Sequence, residues 1–489
     1  MLPEPESVSV LLQTLISRAS MLAAMSATKV DVLVVGGGLA GLVAAARAAE
    51  LNAAVLLMDK GSFLGDGNTQ TTSGAYYTAG IRVSSDPDEL YTRALRGGAA
   101  HPELARVWAD NCMRALEWLE HVGIDVDRRG GDVPRLESKS AVSTGPVYLI
   151  DVGTSIIKKL RAFLEARQGV SMSKTRASKL LTSDGKVVGL EAADSSGNRV
   201  TVKAAATVLA TGGFQANREL LRKYVGRHAD SCKLMGSSTA TGDGLKMALD
   251  VRAKVVNLQY VYGRVVSLKA LTDDRFWPYP TMDTLIEDGV VVDRKGRRFR
   301  DEGWGDIPLV NELAIWDDVT KACLVFDEEA WQRSSGDTQS VVPPNPWLRE
   351  KDGLLFKAES LSELGTKLGI DGKGLEATVE QFNAAAVRRR LGELPVPRFN
   401  NARPLKPPFY GVKLLPGIVS TMGGPLINRR ANVLDRNEKP IPGLFAAGDL
   451  VGGLMGGRNG GYVGGISQAA VTGLLAGEGA RKYAMGFMP

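Results

Sequence analysis

Residues 30–61, VDVLVVGGGLAGLVAAARAAELNAAVLLMDKG, restrict the fold more than any other stretch of the chain. Val30 to Val35 is β-branched and apolar on both faces except for Asp31, the pattern of a parallel strand buried on both sides. Gly36-Gly37-Gly38-Leu39-Ala40-Gly41 fits G-x-G-x-x-G. Gly36 permits the tight turn, Gly38 lets backbone approach a pyrophosphate, and Gly41 lets the next helix lie against the sheet. Alanine-rich residues 42–50 propagate that helix, and its first N–H groups and dipole suit phosphate. A second strand, Ala54 to Met58, ends at Asp59, 18 residues after Gly41, where a carboxylate accepts a ribose hydroxyl. Ala40 and Lys60 join these residues as cofactor-binding candidates. The alternative, a glycine-rich βαβ turn without a ligand, is disfavoured because strand, glycines, helix, strand and acid all occur in order.

The remaining 400 or so residues need more than one core, since 489 residues exceed what one usually supports. The net charge of +6 is spread over 60 basic and 54 acidic side chains with no long basic run, so nucleic acid binding is not expected. Cys112, Cys232 and Cys323 lie far apart, which suggests neither a disulfide framework nor a zinc site, no metal, and a reducing cytoplasmic compartment. No run of about 18 apolar residues predicts a membrane span. Residues 1–28 form an apolar extension interrupted by Arg18, with Glu4 and Glu6 where a signal peptide wants positive charge, so export is not expected.

Two later stretches, TVLATGGF (207–214) and IPGLFAAGDLVGG (441–453), resemble signatures of FAD-dependent enzymes. With TGDGLKMA (241–248) and TMGGPLINRRANVL (421–434), they resemble the fumarate reductase, succinate dehydrogenase and 3-ketosteroid dehydrogenase superfamily of flavoproteins, over nearly everything from residue 30 to 484. The resemblance implies an α/β fold: a Rossmann-like FAD-binding domain, discontinuous in sequence, with an inserted α+β capping domain. The expected division is an extension (1–28), the first part of the FAD-binding domain (29–255), the cap (256–404) and the C-terminal part of the FAD-binding domain (405–489). Helices are expected over Glu103–His121, Gly153–Arg167 and Ser467–Tyr483, and a hairpin about Ser195–Asn198.

The same resemblance places Thr211, Gly212, Asp243, Gly448 and Asp449 on the cofactor, with Asp449 on its ribityl or pyrophosphate part. Asn68, Thr69 and Gly74 fall in GDGNTQTTSGAYY (65–77), where succinate dehydrogenases attach FAD through a histidine. No histidine occurs there, so FAD is expected to be non-covalent. Residues 448–468, GDLVGGLMGGRNGGYVGGIS, expose many backbone N–H groups ahead of a helix, and Gly464 and Ile466 complete the cofactor set.

Members of the superfamily interconvert a saturated C–C bond and an alkene beside a carbonyl or carboxylate, so a small molecule carrying one of these groups is the expected substrate, with an external electron partner that the sequence does not identify. This chain departs from the fumarate-type proton donor and substrate histidines: the comparable positions are Asp306, Val261 and Ser420. The catalytic candidates are Arg458, matched to a substrate-carboxylate arginine, and the tyrosines Tyr260, Tyr262 and Tyr462 with Arg264. Competing structural readings are an Arg458 paired with Asp449 or backbone, and Tyr260 and Tyr262 lining a strand face. A flavin oxidase or monooxygenase shares the opening motif, and a flavin-binding electron carrier fits poorly with a cap. 

Overall fold

The computed structural model describes residues 30–62, 66–72, 74–76, 86–127, 147–274, 279–336 and 343–487. The expected extension 1–28 and Tyr77 lie outside them. The first sheet begins where the sequence places it, with strand β1 (Val30–Val35), helix α1 (Leu39–Glu50) and strand β2 (Val55–Met58). Strand β3 (Val170–Met172) extends one side, and β4 (Thr175–Ser183), β5 (Lys186–Asp194) and β6 (Arg199–Leu209) follow as a meander whose β5–β6 turn spans the expected 195–198. Helices α2 (Pro102–His121) and α3 (Thr154–Glu165) occupy the expected stretches.

The glycines do what close packing requires of them. Gly36 sits at φ +113°, and a methyl group there would lie 2.2 Å from the Ala210 carbonyl oxygen. At Gly41 it would lie 1.8 Å from the Gly36 carbonyl oxygen. Gly41→Ala is therefore expected to destabilise the fold by about 1–3 kcal/mol through overpacking. A urea midpoint equal to that of the unsubstituted protein would contradict this.

The second sheet is built around β12 (Phe409–Thr421), a 13-residue strand buried along nearly its whole length. Its first half pairs with β10 (Cys323–Asp327) and β11 (Leu355–Ala358), and its second half with β7 (Lys233–Leu234) and β8 (Val261–Ser267), while β9 (Val290–Val292) pairs with β10. This sheet takes strands from 233–234 and 409–421 as well as from 261–358. Helix α4 (Asp243–Asp250) packs beside β4, and α5 (Asp306–Ala314) packs on β8 and β12 of the second sheet.

The chain then returns to the first sheet with β13 (Asn432–Leu434) and β14 (Pro440–Ala446). The order there is β13-β14-β6-β1-β2-β3, parallel except for β13. Val34 and Phe445 both lie opposite Val208, so strands more than 400 residues apart flank one neighbour. Helix α6 (Gly465–Ala484) closes the unit against α1. Methyl groups at Gly473 and Gly477 would come within 2.6 Å of the Ala40 carbonyl oxygen and 2.5 Å of the Ala44 carbonyl oxygen, so small residues let the two helix backbones touch. The result is a Rossmann-like domain, discontinuous in sequence, with a second mixed unit inserted as a cap.

Candidate active site

The turn after β1 supplies the first wall. Gly38 precedes α1 in extended conformation, and a methyl group there would meet only Thr69 Oγ1, at 3.6 Å. Gly212, at φ +72°, has nothing within 4 Å of the same position among the described residues, so among these both backbones border open space. Thr69 Oγ1 accepts the Leu39 N–H at 3.0 Å. The Asp59 carboxylate accepts Gly37 N–H at 2.5 Å and Gly61 N–H at 2.6 Å, one on each oxygen. Each oxygen retains a second lone pair, which leaves the acid able to take a hydroxyl.

Lys60 and Asp243 meet each other. Lys60 Nζ lies 2.8 Å from Asp243 Oδ2 and donates to Thr241 Oγ1 at 2.7 Å, while Arg176 holds Asp243 Oδ1 at 2.7 Å. Burial pushes the Asp243 carboxyl up, but hydrogen bonds and charge from Arg176 and Lys60 more than offset it, and the net displacement is downward. Gly74 packs on backbone: its carbonyl accepts the Leu149 N–H at 2.8 Å.

The last part of the chain supplies the opposite wall. A methyl at Gly448 would sit 2.7 Å from the Ala40 Cβ, so the two glycine-lined turns abut. Asn68 Nδ2 donates to Asp449 Oδ2 at 3.2 Å and to the Val419 carbonyl at 3.2 Å. Burial raises the Asp449 carboxyl to about 6, with the Asn68 hydrogen bond opposing. In the first turns of α6, Gln468 Nε2 donates to the Gly448 carbonyl at 2.8 Å, and Thr472 Oγ1 accepts the Gly448 N–H at 2.8 Å. Gly464, at φ +90°, caps α6, and Ile466 is buried beside it. Three buried polar atoms around this space, Thr211 Oγ1, Gln215 Oε1 and Gln468 Oε1, have no partner among the described residues. Buried polar atoms are costly to leave unpaired. Together with the open backbone at Gly38 and Gly212 they fit a long polar ligand such as a dinucleotide.

The cap contributes β8, which carries two of the catalytic candidates, Tyr262 and Arg264, with Tyr260 just before it. Its register sets Tyr262 opposite Ser420 and Val261 opposite Thr421, both on β12. The Tyr262 ring stacks on the Tyr462 ring, with centroids 3.9 Å apart and planes 1° from parallel. Tyr462 Oη accepts the Gly465 N–H at 2.9 Å, which ties the pair to the start of α6. Burial pushes the Tyr262 phenol up, with Asp306 and Asp283 adding to the effect and Arg264 and Tyr462 opposing it. The Tyr260 ring instead covers the glycine-rich loop, 2.8 Å from where a Gly456 methyl would be.

Arg264 lies between two carboxylates, paired with Asp283 and with Asp306 at 3.2 Å from its Nε. Asp306 is buried, and burial holds its carboxyl well above the usual range, with Asp283 adding to it and Arg264 opposing. Asp306 thus occupies the position compared with the fumarate-type arginine with a carboxyl. Val261 is likewise a buried apolar residue whose backbone is bracketed by Asn311. Arg458 is exposed and forms no ion pair with Asp449 or any other described residue. Sequence reasoning passed over Asp283 and Arg300, which gain their importance only from what the fold sets beside them.

Among the described residues, no helix is long and apolar enough to cross a membrane. The profile of the FAD binding domain family matches residues 31–466. A probable fumarate reductase of Shewanella frigidimarina is 29% identical over 486 residues, covering 93% of this chain and 75% of the relative. Urocanate reductase of Eggerthella lenta is 29% identical over 457 residues, covering 87% and 70%. Among solved structures, a 3-ketosteroid-Δ4-(5α)-dehydrogenase of Rhodococcus jostii superposes with a TM-score of 0.71 over 93% of this chain and 97% of its own, at 22% identity, a likeness of fold. With two glycine-lined turns abutting across one parallel sheet and the family profile spanning both, the chain belongs to the FAD binding domain family and is an FAD-dependent oxidoreductase.

Proposed function

We propose that the protein reduces, or in reverse dehydrogenates, a C–C bond adjacent to a carbonyl or carboxylate, with FAD held non-covalently and with Tyr262 and Tyr462 handling the proton. When bound, FAD supplies a hydride donor or acceptor at N5. Gly38, Asp59, Thr69, Thr211, Asp449 and the first turn of α6 would hold it. The relatives' names support a substrate of this class, since fumarate and urocanate are both unsaturated carboxylates.

The observation that carries the reading is the Tyr262–Tyr462 stack at the junction of cap, glycine-rich loop and α6. A phenol is protonated at neutral pH and so available as a donor in the reductive direction, and the Arg264 charge works against the upward push of burial on it. The Gly465 N–H directed at Tyr462 Oη orients the second phenol. Arg264, held by Asp283 and Asp306, sets a fixed cation close to the first one.

Dithionite-reduced protein, mixed without oxygen with unsaturated carboxylates and cyclic enones, should regain its yellow colour with at least one of them. Reoxidation by oxygen alone, with peroxide formed, would overturn the assignment in favour of an oxidase. Acid precipitation should leave the flavin in the supernatant. Tyr262→Phe is expected to lower turnover by about 10²–10⁴-fold while flavin per chain stays unchanged. Turnover that survives Tyr262→Phe would remove that phenol from the reaction.

A further inference from the structure

A cavity of about 810 Å³ opens where residues 215–234 of the first domain meet the cap segment 317–320. Its size falls within the range of pockets that hold small molecules, about 300–1,000 Å³. Leu221, Val319 and Ile418 of β12 are buried and supply its apolar lining. Leu234 of β7 and Leu271 also line it, and these two are 37% and 48% exposed. Large apolar side chains left to water around a cavity mark a face that binds something partly apolar.

The charges of the lining narrow the occupant. Among the described residues they are Arg218 and Lys233 against Asp230, Asp317 and Asp318. Both cations are engaged. Arg218 Nη2 lies 3.2 Å from Asp230 Oδ2, which Arg222 also holds at 2.8 Å, and Lys233 Nζ lies 3.0 Å from Asp274 Oδ1. A phosphate would find no free cation here and would face the carboxylates, so a nucleotide carrier such as NADH does not suit. The His228 ring and the Ser231 hydroxyl have no side-chain partner among the described residues and offer donors to neutral carbonyl oxygens. Burial, helped by the Asp230 charge, pushes the Cys232 thiol up to about 12, so it remains a thiol and does not attack an electrophilic ring.

The cavity adjoins the cofactor walls. Gln215 lines it, and Gln215 Nε2 lies 3.5 Å from Oδ1 of Asn68, the residue that bonds Asp449. Ile418 lines it too, and the next carbonyl, that of Val419, accepts Asn68 Nδ2 at 3.2 Å. The partition is thus one strand and one side chain thick. Electrons, unlike a hydride, cross such a partition without direct contact between donor and acceptor. We propose that this cavity binds an uncharged quinone of the benzoquinone or naphthoquinone type, which serves as the external electron partner. In dehydrogenation the substrate C–C bond loses two electrons and two protons. The quinone gains two electrons through the partition and two protons from water at the open mouth, and its two carbonyls become hydroxyls. In the reductive direction a hydroquinone returns them. The site rests on the proposed function only for the source of the electrons, since binding of the ring needs no turnover.

The test is calorimetric titration of the oxidised, FAD-loaded protein with 2,3-dimethyl-1,4-naphthoquinone, whose ring positions are blocked against thiols, and separately with NADH. The quinone should bind one per chain and at least tenfold more tightly than NADH. Leu271→Glu, which sets a charge at the mouth, and Ser231→Trp, which fills it, should each weaken the quinone tenfold or more. Both side chains are exposed, so neither substitution should disturb folding. Reoxidation of dithionite-reduced protein by subsaturating quinone should slow by the same factor in both variants, while reoxidation by an unsaturated acid stays unchanged. No quinone binding, NADH binding as tightly, or unchanged affinity in either variant would overturn the site. Quinone reoxidation at the parental rate in both variants would show that electrons leave elsewhere and would overturn its role. Quinone binding in a protein that no unsaturated carbonyl compound reoxidises would sink the proposed function and leave this site standing.

Discussion

Asp449→Asn is expected to make the FAD-free protein more stable at pH 7.5, by about 2 kcal/mol, while weakening FAD about ten- to a hundredfold. Burial raises this carboxyl to about 6, against an ordinary value near 4. A carboxyl whose folded value is raised favours the fold when protonated. Its contribution is fully present below about pH 4 and is lost as pH rises to about 6; above that the ionised group works against the fold. The full shift corresponds to about 3 kcal/mol at 1.36 kcal/mol per pH unit, trimmed to about 2 because Asp449 keeps some contact with solvent. Asparagine mimics the neutral acid, so the gain should be full at pH 7.5, shrink as pH falls through 6 toward 4, and vanish near pH 3 in urea titrations of the apoprotein. A variant less stable than the parent at pH 7.5 would show that the ionised acid supports the fold. Such a penalty fits the proposal that Asp449 is kept for the cofactor, with stability given up for a carboxylate held ready.

The largest loss is expected at Glu302. Its side chain is fully buried and accepts from Arg298 at 2.9 Å (Nε to Oε1) and 2.5 Å (Nη2 to Oε2), and from the Val291 N–H at 3.0 Å. Arg398, also fully buried, lies 3.8 Å away and is held by the carbonyls of Gly289 and Glu287. Glu302→Ala leaves two buried guanidinium groups facing each other without the acid between them, which should cost about 3–5 kcal/mol. Glu302 lies between Arg300 and Asp306, so the same substitution should loosen the segment that carries both. Thermal unfolding should show a midpoint several degrees lower in Glu302→Ala, with Glu302→Gln between it and the parent. Equal midpoints would mean that water or a shifted side chain replaces the acid at little expense.

Local pattern told most about the first sheet. Val30 to Asp59 could be read because strand, glycines and helix each leave a periodic or steric mark within a few residues. Strand β12 left no such mark: it is buried on both faces, contains Pro416, and shows no alternation. The site was legible residue by residue and opaque as an arrangement. Tyr262 and Tyr462 were both candidates, yet their stacking joins positions 200 apart, which no local spacing encodes. Lys60 and Asp243 were picked singly for the cofactor, and nothing in sequence said that they pair with each other. Arg300 stands in a run of charges, GRRFRDE, typical of a solvated turn, and only folding buries it beside Arg458.

The backbone contact between α1 and α6 has a further meaning during synthesis. At about 5–20 residues per second, some 430 residues separate the making of Gly36 from that of Gly465, a wait of roughly 20–90 s. Throughout that interval the apolar flank of α1 has no partner, and the nucleotide pocket has only one of its two walls. A nascent chain of this kind should depend on a holding chaperone more than its final compactness suggests, and flavin should become bound only after residue 484 has left the ribosome.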